Sequence, residues 1–255
     1  RRITKYLYER DTILATAWVF IFILMVKVLP LPNMHFFDPI EIALEHFHFN
    51  DITYSKLKKT VGDSLDQRIV IINIEEFDRE GLAMLINKTS SLGAKVIGLD
   101  VTMEEAKEPI KDSLMRDAIA RNKKLVLASR FHPGEGKEES VFAPNYFSDA
   151  NTHSGYVNFL SKEWATVRIW NPFIKNKIHP DSNSYQSFAT TIVQEYDPAA
   201  FEKLKKRNHS IEIINYSRRT NQYLIVSGED LLEGKVDSSA IKGKIALLGY
   251  INNNP

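Results

Sequence analysis

Four unbroken runs of apolar, mostly β-branched residues constrain the fold of this chain more than any other feature. They read RIVIINIE at 68–75, KVIGLDV at 95–101, KLVLAS at 124–129 and KIALLG at 244–249. A strand that alternates polar and apolar residues buries one face, whereas an unbroken apolar run is typical of a strand covered on both faces. These runs therefore predict the central strands of a buried sheet.

Helical patterns separate the first three runs. Residues 79–92 carry apolar side chains at helical spacing and end before Gly93, a common helix stop, and a second helix is predicted at 112–121. Strands and helices that alternate with short connections are typical of parallel strands joined by right-handed crossovers. We therefore predict an α/β fold with a mostly parallel sheet and helices on both faces.

The remaining part of the domain has weaker patterns. Residues 132–153 are polar and predict an exposed loop, and two short strands at 155–159 and 166–169 are expected to form a hairpin. A third helix is predicted at 187–196. The last predicted elements are strands at 211–216 and 223–227 and a short helix at 229–232.

One strongly apolar segment precedes this domain. Residues 13–29 form a run of about 17 residues, near the lower limit for crossing a bilayer, with Lys27 as the only charge and Pro30 directly after it. The alternatives are a buried core helix and a cleaved signal peptide. The run has no polar face, which argues against the first, and no small-x-small cleavage site follows it, which argues against the second. We predict a transmembrane helix at 13–30.

The flanking charges predict the direction of this helix. Residues 1–12 contain four basic side chains, whereas 31–50 contain no lysine or arginine. Positive charge is retained on the cytoplasmic side of a membrane. We therefore expect a cytoplasmic flank at 1–12 and an extracytoplasmic domain at 31–255, and we expect the protein to continue beyond Pro255.

Composition and motifs exclude several functional classes. The chain has no cysteine, which rules out disulfides, thiolate metal sites and thiol nucleophiles, and its 33 basic and 32 acidic residues give a net charge of +1 with no global attraction for nucleic acid. It contains no dinucleotide-binding glycine motif, Walker loop or nucleophile elbow. The adjacent Glu104 and Glu105 are interpreted as solvated rather than as catalytic acids. We predict no enzymatic activity, catalytic residue, metal or cofactor.

Candidate ligand-binding residues follow the predicted strands. Glu75 and Glu76 come after the first, Asp100 after the second and Arg130 after the third, and open parallel sheets bind ligands outside the carboxyl ends of their strands. Carboxylates with an arginine suit a cation, an amine or a sugar. The alternative is that Asp100 caps the following turn and that the glutamates are solvated.

Arg168 is a further candidate because aromatic residues surround it in the sequence. Trp164 and Trp170 flank it, with Tyr156 and Phe159 not far before. Aromatic side chains around one arginine suit a bound sugar or a protein surface, and they suit a packed hairpin over a helix equally well. These interpretations remain open.

Several segments resemble the CHASE family of type 2, the extracellular sensor domains of bacterial membrane receptors. The closest are 66–75 (DQRIVIINIE), 93–101 (GAKVIGLDV) and 241–249 (IKGKIALLG), and shorter matches occur at 49–52, 166–168 and 187–189. The resemblance spans about 48–250. One departure is that FDREG at 77–81 replaces a W-P-W-P segment, so the specificity of a ligand pocket is expected to differ or to be lost.

The resemblance implies a function, a location and partners. We expect a sensor domain anchored in the bacterial inner membrane that faces the periplasm, recognises a ligand or a protein and relays the signal across the membrane. Its expected partners are the lipid bilayer, other envelope or signalling membrane proteins and further copies of itself. A structural subunit of an envelope complex is the alternative, and a periplasmic hydrolase ranks last.

Overall fold

The computed structural model describes residues 10–28, 64–132, 140–159, 167–175 and 184–251. They belong to two compact units that divide between Leu57 and Lys58. The first unit contains helix α1 (Arg10–Val28), and the second contains an α/β domain.

Helix α1 covers most of the segment predicted to cross a membrane. Several of its large apolar side chains are exposed, including Trp18, Phe20 and Phe22. In the part of the chain that the structure describes, no helix combines the length and the apolar character needed to span a bilayer. The division into 1–12, 13–30 and 31–255 stays a prediction, and residues 29–63 lie outside the described ranges.

The strands of the domain are short. In chain order they are β1 (Ile69–Asn73), β2 (Val96–Leu99), β3 (Leu125–His132), β4 (Val141–Ala143), β5 (His153–Tyr156), β6 (Ile169–Trp170), β7 (Phe173–Ile174), β8 (Tyr185–Gln186), β9 (Glu212–Ile213), β10 (Leu224–Ser227) and β11 (Ile245–Gly249). Buried residues are concentrated in β2, β3 and β11.

The helices lie between these strands. They are α2 (Arg79–Ser91), α3 (Pro109–Arg121), α4 (Phe188–Tyr196), α5 (Pro198–Arg207) and α6 (Gly228–Leu232), with two short 3₁₀ turns at Thr220–Gln222 and Ser238–Ala240.

The main sheet has the strand order β10-β1-β11-β2-β3, and every neighbouring pair in it is parallel. Strand β5 adds a parallel strand beside the first half of β3, whereas β4 pairs antiparallel with its end. Two small two-stranded sheets, β6–β9 and β7–β8, lie outside it. The predicted α/β fold with a mostly parallel sheet is confirmed.

Helices cover both faces of the sheet, also as predicted. Alternate side chains such as Val70, Leu99 and Leu127 form one core with residues of α2, α3 and α6. Their neighbours on the strands face the other way and form a smaller core with α4, whose Ile192 packs among Val96, Val126 and Ile245. Burial on both faces explains why these strands are unbroken apolar runs.

Capping residues set the helix boundaries. Asp78 caps α2 by accepting the N–H of Gly81 at 2.9 Å, and α3 begins with Pro109 at its first position, three residues before its predicted start. Asp197 ends α4 and caps α5, where Pro198 follows. Because a proline is favourable at the first helical position and disrupts a helix interior, the chain forms two helices here.

Two predictions for the middle of the chain are wrong. The strands near 155 and 169 do not form a hairpin, because β5 pairs in parallel with β3 and β6 pairs with β9. The expected loop at 132–153 contains β4, which pairs residue by residue with the end of β3. Residues 133–139 of that loop lie outside the described ranges.

Gly155 allows β5 to approach helix α4 closely. A Cβ atom added there would lie 2.6 Å from the backbone nitrogen and Cα of Phe188. Since backbone cannot move as a side-chain tip can, we expect Gly155→Ala to lower the free energy of unfolding by about 1–3 kcal/mol. Urea unfolding of the full chain in detergent would measure this loss.

Gly249 in β11 provides the matched control for Gly155. An added Cβ there would meet the Cβ of Asp100 at 3.6 Å, an ordinary contact. Gly249→Ala should therefore leave stability within about 0.5 kcal/mol of the native value. Equal losses for both substitutions would contradict the close backbone approach at Gly155.

Candidate functional site

A cleft of about 630 Å³ opens at the carboxyl ends of β2 and β3. One wall is formed by the starts of α2 and α3, and the other by the β2–α3 loop (residues 100–108) together with the end of β3. The lining residues are Phe77, Asp78, Arg79, Leu82, Val101, Thr102, Met103, Glu104, Glu105, Lys107, Glu108, Lys111 and Arg130.

Backbone hydrogen bonds fix the β2–α3 loop at several points. The carbonyl of Val101 accepts a hydrogen bond from the Asn145 side chain at 3.1 Å, and that of Met103 accepts one from the N–H of Tyr146 at 2.6 Å. Farther along, the N–H of Lys107 donates to Asp112 at 3.0 Å. The loop is therefore held in one conformation beside the cleft.

A buried ion pair joins the two helices that form the first wall. The guanidinium of Arg79 contacts the carboxylate of Asp112, both side chains being more than nine-tenths buried, and also donates to the carbonyl of Glu105 at 2.6 Å. The Arg79 guanidinium lies over the rings of Tyr146 and Phe147. Burial alone would raise the pKa of Asp112, but hydrogen bonds from Arg79 and Lys107 outweigh it and lower that pKa.

Exposed ion pairs line the rim of the cleft. Glu104 accepts hydrogen bonds from Arg130 and from His132, the latter at 2.9 Å, and the Arg130 bond is the main reason that the pKa of Glu104 is lowered. Across the cleft, the ammonium of Lys111 lies 2.9 Å from Asp78 and 2.9 Å from Glu108. Hydrogen bonds to these two carboxylates raise the pKa of Lys111, and the bond to Glu108 has the larger effect.

The structure places four of the five predicted site residues along the carboxyl edge of the sheet, but not in one group. Arg130 lines the cleft. Asp100 follows β2 beside Gly249, exposed at the surface. Among the described residues its carboxylate has no hydrogen-bond or ion-pair partner, so it does not cap the next turn. Desolvation by its surroundings raises the pKa of Asp100.

Glu75 and Glu76 lie at the far end of the same edge. Glu75 has a left-handed backbone with φ of 49°, and its carboxylate accepts a hydrogen bond from Ser227 of β10 at 2.8 Å. Glu76 is exposed. Because β11 lies between β1 and β2, these glutamates are separated from Asp100 by a strand.

Arg168 lies outside the main sheet, just before β6. Its carbonyl accepts the N–H of Ile214 at 2.9 Å, in the small β6–β9 sheet. Of the five predicted residues, Arg130 is the one that the described structure places in the cleft lining.

Sequence reasoning missed the residues that shape the cleft. Asn145 is buried, and its side-chain amide donates to the carbonyls of Val101 and Ala128 while its side-chain oxygen accepts the N–H of Phe147. Asn145 lies far along the chain from Val101, so no local pattern marks this contact. Among the described residues, no group of three potential metal ligands occurs.

Comparison with known protein families assigns the domain. The CHASE2 domain matches residues 20–254, nearly the whole chain. The chain belongs to the CHASE2 family. No curated protein and no solved structure is significantly similar to it. The resemblance in the strand motifs is thereby confirmed, and membership is consistent with a sensory role, since CHASE2 domains are sensor domains and generally non-catalytic.

The segment in which this CHASE2 domain departs from the expected motif contributes to the cleft. Phe77 and Asp78 line it, and the Phe77 ring lies so close to Gly81 and Gly228 that a Cβ at either position would meet it within 2.7 Å. The FDREG segment at 77–81, where the resemblance implies W-P-W-P, therefore forms part of the cleft wall.

Proposed function

We propose that this CHASE2 chain is a sensor that binds a small ligand in the cleft between the α2–α3 wall and the β2–α3 loop. The observation that carries the proposal is the cleft itself, a cavity of about 630 Å³ at the carboxyl ends of two parallel strands. This is the edge at which open parallel sheets bind ligands, and the volume is in the range of small-molecule sites.

The architecture of the cleft suits signal relay. The two walls belong to different elements, and each carries a partly exposed ion pair on its rim, Asp78–Lys111 on the first and Glu104–Arg130 on the second. Each exposed ion pair contributes little to stability. A ligand that binds two arrangements of the walls with different affinities can therefore shift the equilibrium between those arrangements. The buried Arg79–Asp112 pair holds the first wall together during such a change.

The membrane anchor and the extracytoplasmic location are part of this proposal. They rest on the apolar run at 13–29 and on the basic residues within 1–12. Protease protection in right-side-out membrane vesicles would test them. We expect protease added outside the vesicles to digest the domain. Protection of the domain would show that the chain has the opposite orientation.

Thermal-shift measurements on the full chain in detergent test the ligand cleft. A panel of sugars, amino acids, amines and organic acids is screened, and the proposal expects at least one to raise the melting temperature. Thr102→Trp fills the cleft and should abolish that shift, whereas Ser90→Trp, exposed at the other end of α2, should not. A shift that survives Thr102→Trp would place binding elsewhere.

A structural subunit of an envelope complex is the second candidate. The observation that favours it is an exposed apolar pair in the β6–β9 sheet, where Ile169 lies opposite Ile213, together with the replaced segment at 77–81. Purification from native membranes in mild detergent followed by mass spectrometry separates the two candidates. Stoichiometric envelope proteins would support the subunit, and recovery of the chain alone or as a homo-oligomer would support the sensor.

A further inference from the structure

The charges that line the cleft balance, and most of them are already compensated. Four are acidic and four are basic: Asp78, Glu104, Glu105 and Glu108, and Arg79, Lys107, Lys111 and Arg130. Six of the eight belong to the ion pairs described above, which involve Lys111, Arg130 and the buried Arg79. A ligand that bound any of these six groups would have to compete with an existing ion pair.

Glu105 and Lys107 are the two charged groups left over. Within the described ranges, neither the Glu105 carboxylate nor the Lys107 ammonium has an ion-pair or hydrogen-bond partner, and both residues are exposed at the cleft. They lie two residues apart in a non-helical segment. The backbone at both positions is fixed, by Arg79 at the carbonyl of Glu105 and by Asp112 at the N–H of Lys107. One negative and one positive group are thus presented from a fixed loop.

The cleft also has an apolar part to its lining, which we call the floor. Leu82 and Met103 in it are more than nine-tenths buried, and the partly buried Phe77 lines the cleft just before α2. An apolar floor with a few placed polar groups is the usual composition of a small-molecule site, in which the polar groups fix orientation.

We propose that the cleft takes a zwitterion with an apolar side chain, such as an aliphatic or aromatic α-amino acid, whose ammonium binds Glu105 and whose carboxylate binds Lys107. This inference rests on the proposed ligand cleft and adds the chemical class of the ligand. The apolar side chain then lies on Phe77, Leu82 and Met103.

Calorimetric titration of the full chain in detergent tests the class of ligand. The probes are L-leucine, L-methionine and L-phenylalanine, with two analogues of leucine: 3-methylbutylamine, which lacks the carboxylate, and 4-methylpentanoate, which lacks the ammonium. At least one amino acid should bind. If it is leucine, each analogue should bind about tenfold more weakly, because one charge-assisted contact is lost. If methionine or phenylalanine binds instead, its own amine and acid analogues are used.

Two variants assign the contacts. Glu105→Gln should weaken amino-acid binding about tenfold and should remove the preference over the acid that lacks the ammonium. Lys107→Gln should remove the preference over the amine that lacks the carboxylate. Glu202→Gln and Lys203→Gln, on exposed positions of α5, are the matched controls and should leave affinity unchanged.

The outcomes distinguish failure of the zwitterion inference from failure of the proposed ligand cleft. Binding of a sugar, an amine or an acid that Thr102→Trp abolishes, with no binding of the three amino acids, would keep the ligand cleft and overturn the zwitterion. Equal affinities for leucine and its analogues would also overturn it. If no probe binds the native chain, both the zwitterion and the ligand cleft are rejected.

Discussion

Replacing Arg79 by leucine should lower the melting temperature of the protein by about 10 °C. The substitution leaves the buried carboxylate of Asp112 without its guanidinium and the carbonyl of Glu105 without its donor. A charge that is buried without a partner is far more costly than the pair is stabilising, because the lost hydration is not replaced. Differential scanning calorimetry of the full chain in detergent measures the shift.

A double-mutant cycle separates this effect from the loss of packing over Tyr146 and Phe147. Asp112→Leu alone should destabilise the protein as well, because it leaves the buried Arg79 guanidinium without its carboxylate partner. The double variant Arg79→Leu/Asp112→Leu should recover about half of the summed losses, because no unpaired charge remains. Strictly additive losses would show that the pair is not coupled.

An exposed ion pair provides the control for this cycle. Lys235 lies 3.2 Å from Asp230, and both side chains are at least half exposed. Lys235→Met should change the melting temperature by no more than about 2 °C, since an exposed pair contributes little. A shift as large as that of Arg79→Leu would show that burial does not decide the energetics of these pairs.

The central strands could be predicted because burial on both faces leaves a local signature. The runs at 68–75, 95–101 and 244–249 each contain a whole strand of the observed sheet, and the run at 124–129 contains the first five residues of β3. Their order could not be predicted. Strand β11 pairs on both sides with strands from much earlier in the chain, and the apolar pattern of 244–249 suits any central position.

The predicted hairpin shows where local patterns stop being informative. Strands of two residues, such as β6 and β9, contain too few positions for alternation to be read. In the sequence, Gly155 is the first residue of a predicted short strand. In the structure it permits a backbone approach to Phe188 that depends on the position of α4.

One residue of the candidate cleft, Arg130, could be predicted because the ends of the central strands have a local signature. The rule that ligands bind at the carboxyl ends of parallel strands selected Arg130 and Asp100. In the structure Arg130 lines the cleft, and Asp100 lies at the same edge of the sheet. The contacts that shape the cleft join residues distant in sequence, namely Arg79 with Asp112 and Asn145 with Val101. No spacing rule relates such partners, because tertiary packing alone brings them together.

Replacing Asp66 by alanine should lower the free energy of unfolding by about 3 kcal/mol at neutral pH. The Asp66 carboxylate is almost fully buried and lies 2.9 Å from Arg218 and 3.0 Å from Arg68. It also accepts the N–H groups of Arg68 and Ile69. These contacts link the start of β1 to the segment before the edge strand β10. Their loss leaves the Arg218 guanidinium without its carboxylate partner and removes this link between β1 and β10.

The same carboxylate should make stability depend on pH in a defined window. Burial by itself would raise the pKa of Asp66, but hydrogen bonds from the Arg68 side chain and N–H and the charges of Arg68 and Arg218 lower it below its ordinary value of 3.8. A carboxyl group whose pKa is lower in the folded than in the unfolded protein contributes its full stabilisation at pH values above its pKa in the unfolded protein. That stabilisation is lost as the pH falls through the folded pKa.

Urea unfolding of the full chain and its Asp66→Ala variant over a range of pH measures this contribution. The difference in unfolding free energy should be constant between about pH 7 and about pH 5 and should shrink below about pH 4, as protons bind the unfolded carboxylate first. As a control, Asp117→Asn, at an exposed position of α3, should change the free energy of unfolding at neutral pH by no more than about 0.5 kcal/mol. A difference that grew as the pH fell would mean that burial, rather than Arg68 and Arg218, dominates the ionisation of Asp66.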